Sequence, residues 1–164
     1  MPKLSDRVQT FTDSVIRRMT RISDEHGAIN LSQGFPDFDP PKPILDALAK
    51  VAYEGPHQYS VTYGAENLRE ALARKASKAM QREIDPETQV VVTCGGTEAM
   101  MGVVMSICNP GDKIMVFSPF YENYSADAIL SGAEPIFIPL VPPTYDFDIN
   151  LIEDGFKQGA KAII

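Results

Sequence analysis

The stretch KIMVFSPFYENYSADAILSGAEPIFIPL, residues 113–140, decides the fold. Its first five residues, KIMVF, and its last seven, EPIFIPL, are short apolar runs rich in β-branched and aromatic side chains, which indicate strands. The segment ENYSADAILS between them is typical of a helix. Because a right-handed crossover through a helix joins parallel neighbours in a sheet, the stretch predicts a βαβ unit.

The same alternation continues on both sides of this unit. QVVVT (89–93) predicts a strand and TEAMMGVVMSIC (97–108) a helix, while INLIEDGFK (149–157) predicts a helix and KAII (161–164) a strand. Apolar strands that alternate with helices indicate a parallel sheet covered on both faces. We therefore predict an α/β fold with a three-layer, mostly parallel, doubly wound sheet. The helix at 97–108 is apolar almost all round, which predicts burial on all sides.

The front of the chain has a different pattern. Apolar residues at helical spacing predict an amphipathic helix over 11–22, and further helices over 44–52 and 68–80. The segment NLSQGFPDFDPPKP (30–43) contains four prolines and cannot be helical throughout. We therefore expect an N-terminal helix and an irregular arm before the sheet.

Composition and charge exclude several classes of function. The 164 residues carry 22 acidic and 15 basic side chains, a net charge of −7, with no basic block, so a nucleic-acid partner is not expected. No apolar run approaches the roughly 20 residues of a membrane span, and the N-terminus lacks the apolar stretch of a signal peptide. A cytoplasmic location is the expectation.

The cysteines and histidines give no support for a metal site. Cys94 and Cys108 lie in apolar surroundings without CxxC spacing, which predicts buried thiols rather than a disulfide or a metal site. His26 and His57 are isolated from other metal-binding side chains, so no zinc site is expected.

A glycine turn, VVVTCGGTEAMM (90–101), connects the predicted strand at 89–93 to the apolar helix. Free backbone N–H groups and the dipole at a helix start favour an anion, and glycines allow it to approach closely. A phosphate site is one interpretation, and a tight βα turn without a ligand is the other. The turn matches neither G-x-G-x-x-G nor G-x-x-x-x-G-K-[ST], which disfavours dinucleotide and P-loop proteins.

The segment SPFYENY (118–124) follows the strand KIMVF. Ligands of open parallel sheets bind at the carboxyl ends of strands, so Phe120 and Tyr121 are expected to face the same crevice as the glycine turn. One of these rings can stack on a flat ligand, or both simply cover the sheet end. The chain contains no G-x-S-x-G motif and no well-placed Ser, His and Asp set, so nucleophilic hydrolysis has little support.

Five motifs in order resemble the N-terminal part of class I aminotransferases, the pyridoxal-phosphate enzymes of fold type I. They are NLSQGFPDFDPP, QYSVTYGAENLREAL, VVVTCGGTEAM, NPGDKIMVFSPFYENY and GAEPIFIPL, and the resemblance covers nearly the whole chain from Asn30 onward. The motifs are most similar to the branch that contains aspartate, kynurenine, glutamine and methionine aminotransferases. The resemblance implies pyridoxal 5′-phosphate as cofactor, an amino acid and a 2-oxo acid as substrates, and a homodimer.

The resemblance also implies roles for individual residues. Gly95, Gly96 and Thr97 match the cradle of the cofactor's 5′-phosphate, and Tyr121 matches the ring that stacks on its pyridine ring. Each is therefore expected to bind the cofactor.

Two more residues match family positions near the active site. Tyr59 matches the tyrosine that reaches across the dimer interface to the neighbouring subunit's phosphate, with Tyr63 as a competing candidate. Gly34 matches the glycine whose backbone lies over the substrate near its carboxylate, and a backbone conformation with positive φ is the alternative reason for this glycine.

The catalytic groups of the family follow the strand at which this sequence stops. No lysine of the chain matches the family's Schiff-base lysine motif, so no catalytic residue is assigned. The open apolar strand KAII suggests a fragment, with residues 1–43 as an N-terminal helix and arm of the small domain, and 44–164 as the first part of the cofactor-binding large domain. Alone, the chain is expected to lack transaminase activity. The alternatives are a pyridoxal-phosphate C–S lyase of the same fold and a non-catalytic protein.

Overall fold

The structure is a computed structural model that describes residues 3–9, 11 and 13–164. Its contacts define two compact units, one of residues 13–92 and the other of residues 93–164 with the described residues before 13. The predicted domain boundary between residues 43 and 44 stays a prediction.

The unit of residues 13–92 contains three helices: α1 (Val15–Glu25), α2 (Lys42–Glu54) and α3 (Glu66–Met80). The predicted helices over 44–52 and 68–80 are confirmed. The first helix begins later than predicted because the Ser14 side chain caps it by accepting from the N–H of Arg17 at 3.4 Å. Of the earlier predicted positions, Phe11 is not helical and Thr12 lies outside the described residues. The irregular arm ends at Pro41, since Pro43 fits into the first turn of α2.

The other unit contains a short 3-10 helix (Asp6–Val8), three α-helices and a parallel sheet. Along the chain the α-helices and strands are α4 (Gly95–Ile107), β1 (Lys113–Ser118), α5 (Asn123–Leu130), β2 (Glu134–Pro139), α6 (Ile149–Lys157) and β3 (Ala160–Ile163). The strand order is β2-β1-β3, and both pairs are parallel. The predicted βαβ unit is confirmed, because α5 connects β1 to its neighbour β2.

The central strand β1 separates two apolar clusters. Ile114, fully buried, points to one face and packs with Val104 of α4, with Cys108 directly after α4 and with Ala128 of α5. Met115, also fully buried, points to the other face and packs with Ile138, Ala160 and Ile152 of α6. Because successive side chains of a strand alternate between faces, this arrangement gives helix, sheet and helix layers. The doubly wound prediction is confirmed for this unit.

The predicted strand over 89–93 is wrong. These residues join no ladder among the described strands, and Val91 is 61% exposed. The N–H of Val92 instead donates to the carbonyl of Tyr63 at 2.9 Å. A β-branched run forms a strand only where a neighbouring strand accepts its backbone hydrogen bonds, so the side-chain pattern alone was not sufficient.

Two predictions of burial also fail around α4. Its only buried residue is Val104, whereas Val103 and Met105 are more than half exposed, because α4 packs one face on β1 and α5 within this unit. Cys108 is buried as predicted, but Cys94 is exposed at the helix start. Both thiols are free.

Candidate anion-binding site

The glycine turn between residues 93 and 97 has a fixed backbone geometry. Gly95 lies at φ +83°, a left-handed conformation that favours glycine. Its N–H donates to the carbonyl of Thr93 at 2.8 Å, and the Thr93 hydroxyl donates back to the carbonyl of Gly95 at 3.0 Å. These two bonds close the turn directly at the start of α4.

The first turn of α4 presents backbone donors to open space. The N–H groups of Gly95, Gly96 and Thr97 have no acceptor inside the helix by the geometry of a helix start. That of Gly95 is used within the turn, so those of Gly96 and Thr97 remain for a ligand. A Cβ atom built on Gly95 or Gly96 would meet nothing within 4 Å, so there is room for an anion beside them.

Glu98 completes the turn from the helix side. Its carboxylate Oε2 accepts a hydrogen bond from the N–H of Cys94, the residue that precedes the helix. A side chain of the first helical turn that reaches back in this way satisfies the outermost donor of the helix start. The turn therefore holds itself together, and the donors of Gly96 and Thr97 stay available.

A cleft of about 270 Å³ lies in front of these donors. The start of α4 contributes Gly96 and Thr97, and the segment after β1 contributes the rest of the polar and aromatic lining. Its members are Tyr121, Asn123, Tyr124 and Asp127. The predicted convergence of the glycine turn with the end of the neighbouring strand is therefore present in the structure.

The two aromatic residues after β1 have different surroundings. The ring of Phe120 stacks on Phe137 of β2 with centroids 5.2 Å apart and an angle of 9° between the planes. Tyr121 lines the cleft, makes an edge-to-face contact with Tyr124 at 5.8 Å, and is 52% exposed. Phe120 thus packs against the sheet, whereas Tyr121 keeps surface available for a flat ligand.

Two polar residues of α5 in the cleft were not singled out from the sequence. Asn123 Nδ2 donates a hydrogen bond of 2.7 Å to Thr97 Oγ1, which connects α5 to the first turn of α4. Asp127, one helical turn further, is 2% exposed, and its Oδ2 has no hydrogen-bond partner among the described residues. Burial raises the pKa of the Asp127 carboxyl. Asn123 and Asp127 lie in SPFYENYSAD (118–127), and their position shortly after the strand β1 was the sequence signal that could have pointed to this cleft.

We expect Asp127→Asn to stabilise the protein at pH 8 by about 1 kcal/mol, because an amide is cheaper to bury than an unpaired carboxylate. The folded state holds this proton more tightly than the unfolded chain does. The protonated Asp127 carboxyl therefore contributes to the stability of the wild-type protein below about pH 4, and this contribution is lost as the pH rises through the raised pKa. Urea unfolding of both proteins at pH 4 and pH 8 measures the effect. An equal difference at both pH values would contradict it.

The remaining predicted site residues lie in the unit of residues 13–92. Tyr59 is fully exposed, and Tyr63 is 54% exposed. Gly34 is not among the glycines with positive φ, and a Cβ built on it would meet nothing within 4 Å. The local backbone therefore does not explain why residue 34 is glycine, and the roles of these residues stay predictions.

Residues 3–9, 11 and 13–164 contain no group of three or more His, Cys, Asp or Glu side chains that is arranged to hold a metal ion. Over the same ranges no helix has the length and apolar character needed to cross a membrane.

Together, the parallel sheet, the open helix start and the adjacent tyrosine define an α/β protein with a cleft suited to a phosphate-bearing aromatic ligand. Residues 26–164 match the model of the family described as aminotransferase class I and II, and the chain belongs to this family.

Individual relatives agree with this assignment. The chain is 35% identical to a probable N-succinyldiaminopimelate aminotransferase of Mycobacterium tuberculosis, over 96% of this chain and 40% of that protein. It is 31% identical to mouse kynurenine–oxoglutarate transaminase 3, over 99% of this chain and 38% of that protein. An Escherichia coli crystal structure with a methionine aminotransferase function superposes with a TM-score of 0.91 at 29% identity, over 99% of this chain and 43% of that one. The predicted family and fold type are confirmed, and the chain spans about 40% of the length of the first of these relatives.

Proposed function

We propose that the protein transfers an amino group between an amino acid and a 2-oxo acid with pyridoxal 5′-phosphate as cofactor. The observation that supports this most is the cleft in which the free N–H groups of Gly96 and Thr97 lie beside the half-exposed ring of Tyr121. Family membership supports the same cofactor and the same class of reaction.

The residues of the cleft suit the two ends of this cofactor. A phosphate dianion fits the space beside Gly95 and Gly96, where it would accept hydrogen bonds from the N–H groups of Gly96 and Thr97 and from the Thr97 hydroxyl. The ring of Tyr121 would stack on the pyridine ring and hold its plane. When bound, the cofactor supplies an electron sink for the removal of the substrate's α-proton.

The residues of the other unit complete the proposal. We propose that Tyr59 binds the phosphate of a neighbouring subunit in a homodimer, and that Gly34 lies against the substrate carboxylate. The full exposure of Tyr59 and the open space around Gly34 are compatible with contacts to another molecule. A cytoplasmic location belongs to the same proposal, and no residue of this chain is assigned the covalent chemistry.

Two measurements on the protein expressed from its complete gene test the function. Pyridoxal 5′-phosphate should bind at least about 100-fold more tightly than pyridoxal, because only the former can use the charge-assisted hydrogen bonds of the turn. With an amino acid and a 2-oxo acid as substrates, the amino group should appear in a new amino acid. Equal binding of the two compounds would refute the phosphate cradle, and release of pyruvate with ammonia would favour the C–S lyase.

A further inference from the structure

We propose that Asn123 is a positioning residue that makes the Thr97 hydroxyl a hydrogen-bond donor to the bound phosphate. The proposal rests on the proposed function, in which Thr97 belongs to the phosphate cradle. It concerns a residue outside the glycine turn, on a different helix and 26 positions further along the chain.

The direction of the hydrogen bond between the two side chains carries the inference. Asn123 Nδ2 donates to Thr97 Oγ1 at 2.7 Å. A hydroxyl has one proton and two lone pairs, so an oxygen that accepts from Asn123 keeps its own proton for a different acceptor. A phosphate dianion in the cleft accepts hydrogen bonds and donates none, and the Thr97 hydroxyl held in this way supplies one donor.

The alternative acceptor for the Thr97 hydroxyl lies just before the helix and already accepts another hydrogen bond. A threonine within a helix commonly donates to the carbonyl four residues earlier, which for Thr97 is that of Thr93. This carbonyl accepts the N–H of Gly95 at 2.8 Å. One of the two lone pairs of this carbonyl is therefore already used, which reduces its competition for the Thr97 proton and favours an acceptor in the cleft.

The scaffold holds Asn123 in place for this task. Asn123 is the first residue of α5, and Ala128 of the same helix is fully buried against the cluster around Ile114. The amide is also neutral, so it orients the hydroxyl without repelling the phosphate. A carboxylate at the same position would accept the Thr97 proton and would add a negative charge beside the anion.

Binding of pyridoxal 5′-phosphate to the protein from the complete gene tests the proposal. Asn123→Ala should weaken binding about fivefold, and Asn123→Asp about 30-fold or more. Binding of pyridoxal, which lacks the phosphate, should stay unchanged in Asn123→Ala. Asn150→Ala is the matched control because Asn150 also lies in the first turn of a helix of this unit, and it should bind like wild type.

A double-mutant cycle separates this proposal from the proposed function. In a Thr97→Val background, Asn123→Ala should change the affinity less than twofold, because no hydroxyl remains to be oriented. An unchanged affinity in Thr97→Val alone would refute the role of Thr97 in the cradle. Two results would overturn the positioning role of Asn123 but leave the phosphate cradle in place. One is that Thr97→Val weakens cofactor binding while Asn123→Ala lowers the affinity equally in both backgrounds. The other is that Asn123→Ala loses binding of pyridoxal.

Discussion

Gly96→Asp is expected to weaken the binding of pyridoxal 5′-phosphate by on the order of 100-fold or more while the protein stays folded. Two like charges about 4 Å apart near a protein surface repel by about 4 kcal/mol. A Cβ atom at residue 96 meets nothing within 4 Å, so the aspartate enters the space proposed for the phosphate without a clash at its Cβ. An acidic residue in the first turn of α4 also interacts favourably with the helix dipole. The cofactor's absorbance or fluorescence on titration measures the affinity, and thermal unfolding checks the fold.

Gly96→Asn separates charge from size. It has nearly the same shape as the aspartate variant but no charge, so its loss of affinity should be at least tenfold smaller. Binding of pyridoxal should differ little between the two variants. If Asp and Asn at residue 96 weakened binding equally, steric blockage rather than repulsion of a phosphate would be the cause, and wild-type affinity in both would place the anion elsewhere.

Gly155→Leu is expected to lower the free energy of unfolding by about 3 kcal/mol. Gly155 is buried in α6, and a Cβ atom there would collide with Sδ of Met115 and lie 3.0 Å from its Cγ. Met115 is fully buried between Ile138 and Ala160, so it has no free space into which to move. Urea unfolding followed by circular dichroism measures the loss.

Gly102→Leu is the matched control for this prediction. Gly102 is also helical, in α4, but a Cβ there meets nothing within 4 Å. Both substitutions gain the same helix propensity, so Gly102→Leu should be neutral or stabilising by up to about 1 kcal/mol. Equal effects at the two positions would show that close packing of α6 on β1 is not what requires glycine at 155.

The parts of the fold that are fixed by local periodicity could be predicted from the sequence. The apolar runs at 113–117 and 134–140 and the helix between them give the parallel pair of β1 and β2, because a short crossover leaves few other topologies. The run at 89–93 has the same side-chain pattern but no ladder within the described chain, and the sequence alone does not show whether a neighbouring strand is available.

Burial was harder to predict than element type. The helix α4 is apolar nearly all round, yet Val103 and Met105 are exposed within the described unit. An apolar face predicts that something covers it but not which part of a protein does so. The same reasoning applies to Cys94, whose apolar neighbours in sequence do not surround it in space.

The candidate site was predictable where its residues follow one another along the chain. Gly96 and Thr97 lie in a recognisable turn, and Tyr121 follows a strand end, so a general rule for parallel sheets brings them together. The contact of Asn123 with Thr97 depends on how two helices pack, and no periodicity encodes it. The burial of Asp127 depends on the same packing, since aspartate is usually exposed.

Because the Cys94 N–H donates to the Glu98 carboxylate, the conformation of the turn does not depend on a bound ligand. The chain's own carboxylate satisfies the outermost donor, so the loop keeps its conformation when nothing is bound. Ligand binding then has only a small entropic cost for ordering the backbone, which is the advantage of a preorganised site. Exchange of the ligand would be governed by its own dissociation rate and not by repeated folding and unfolding of the helix end.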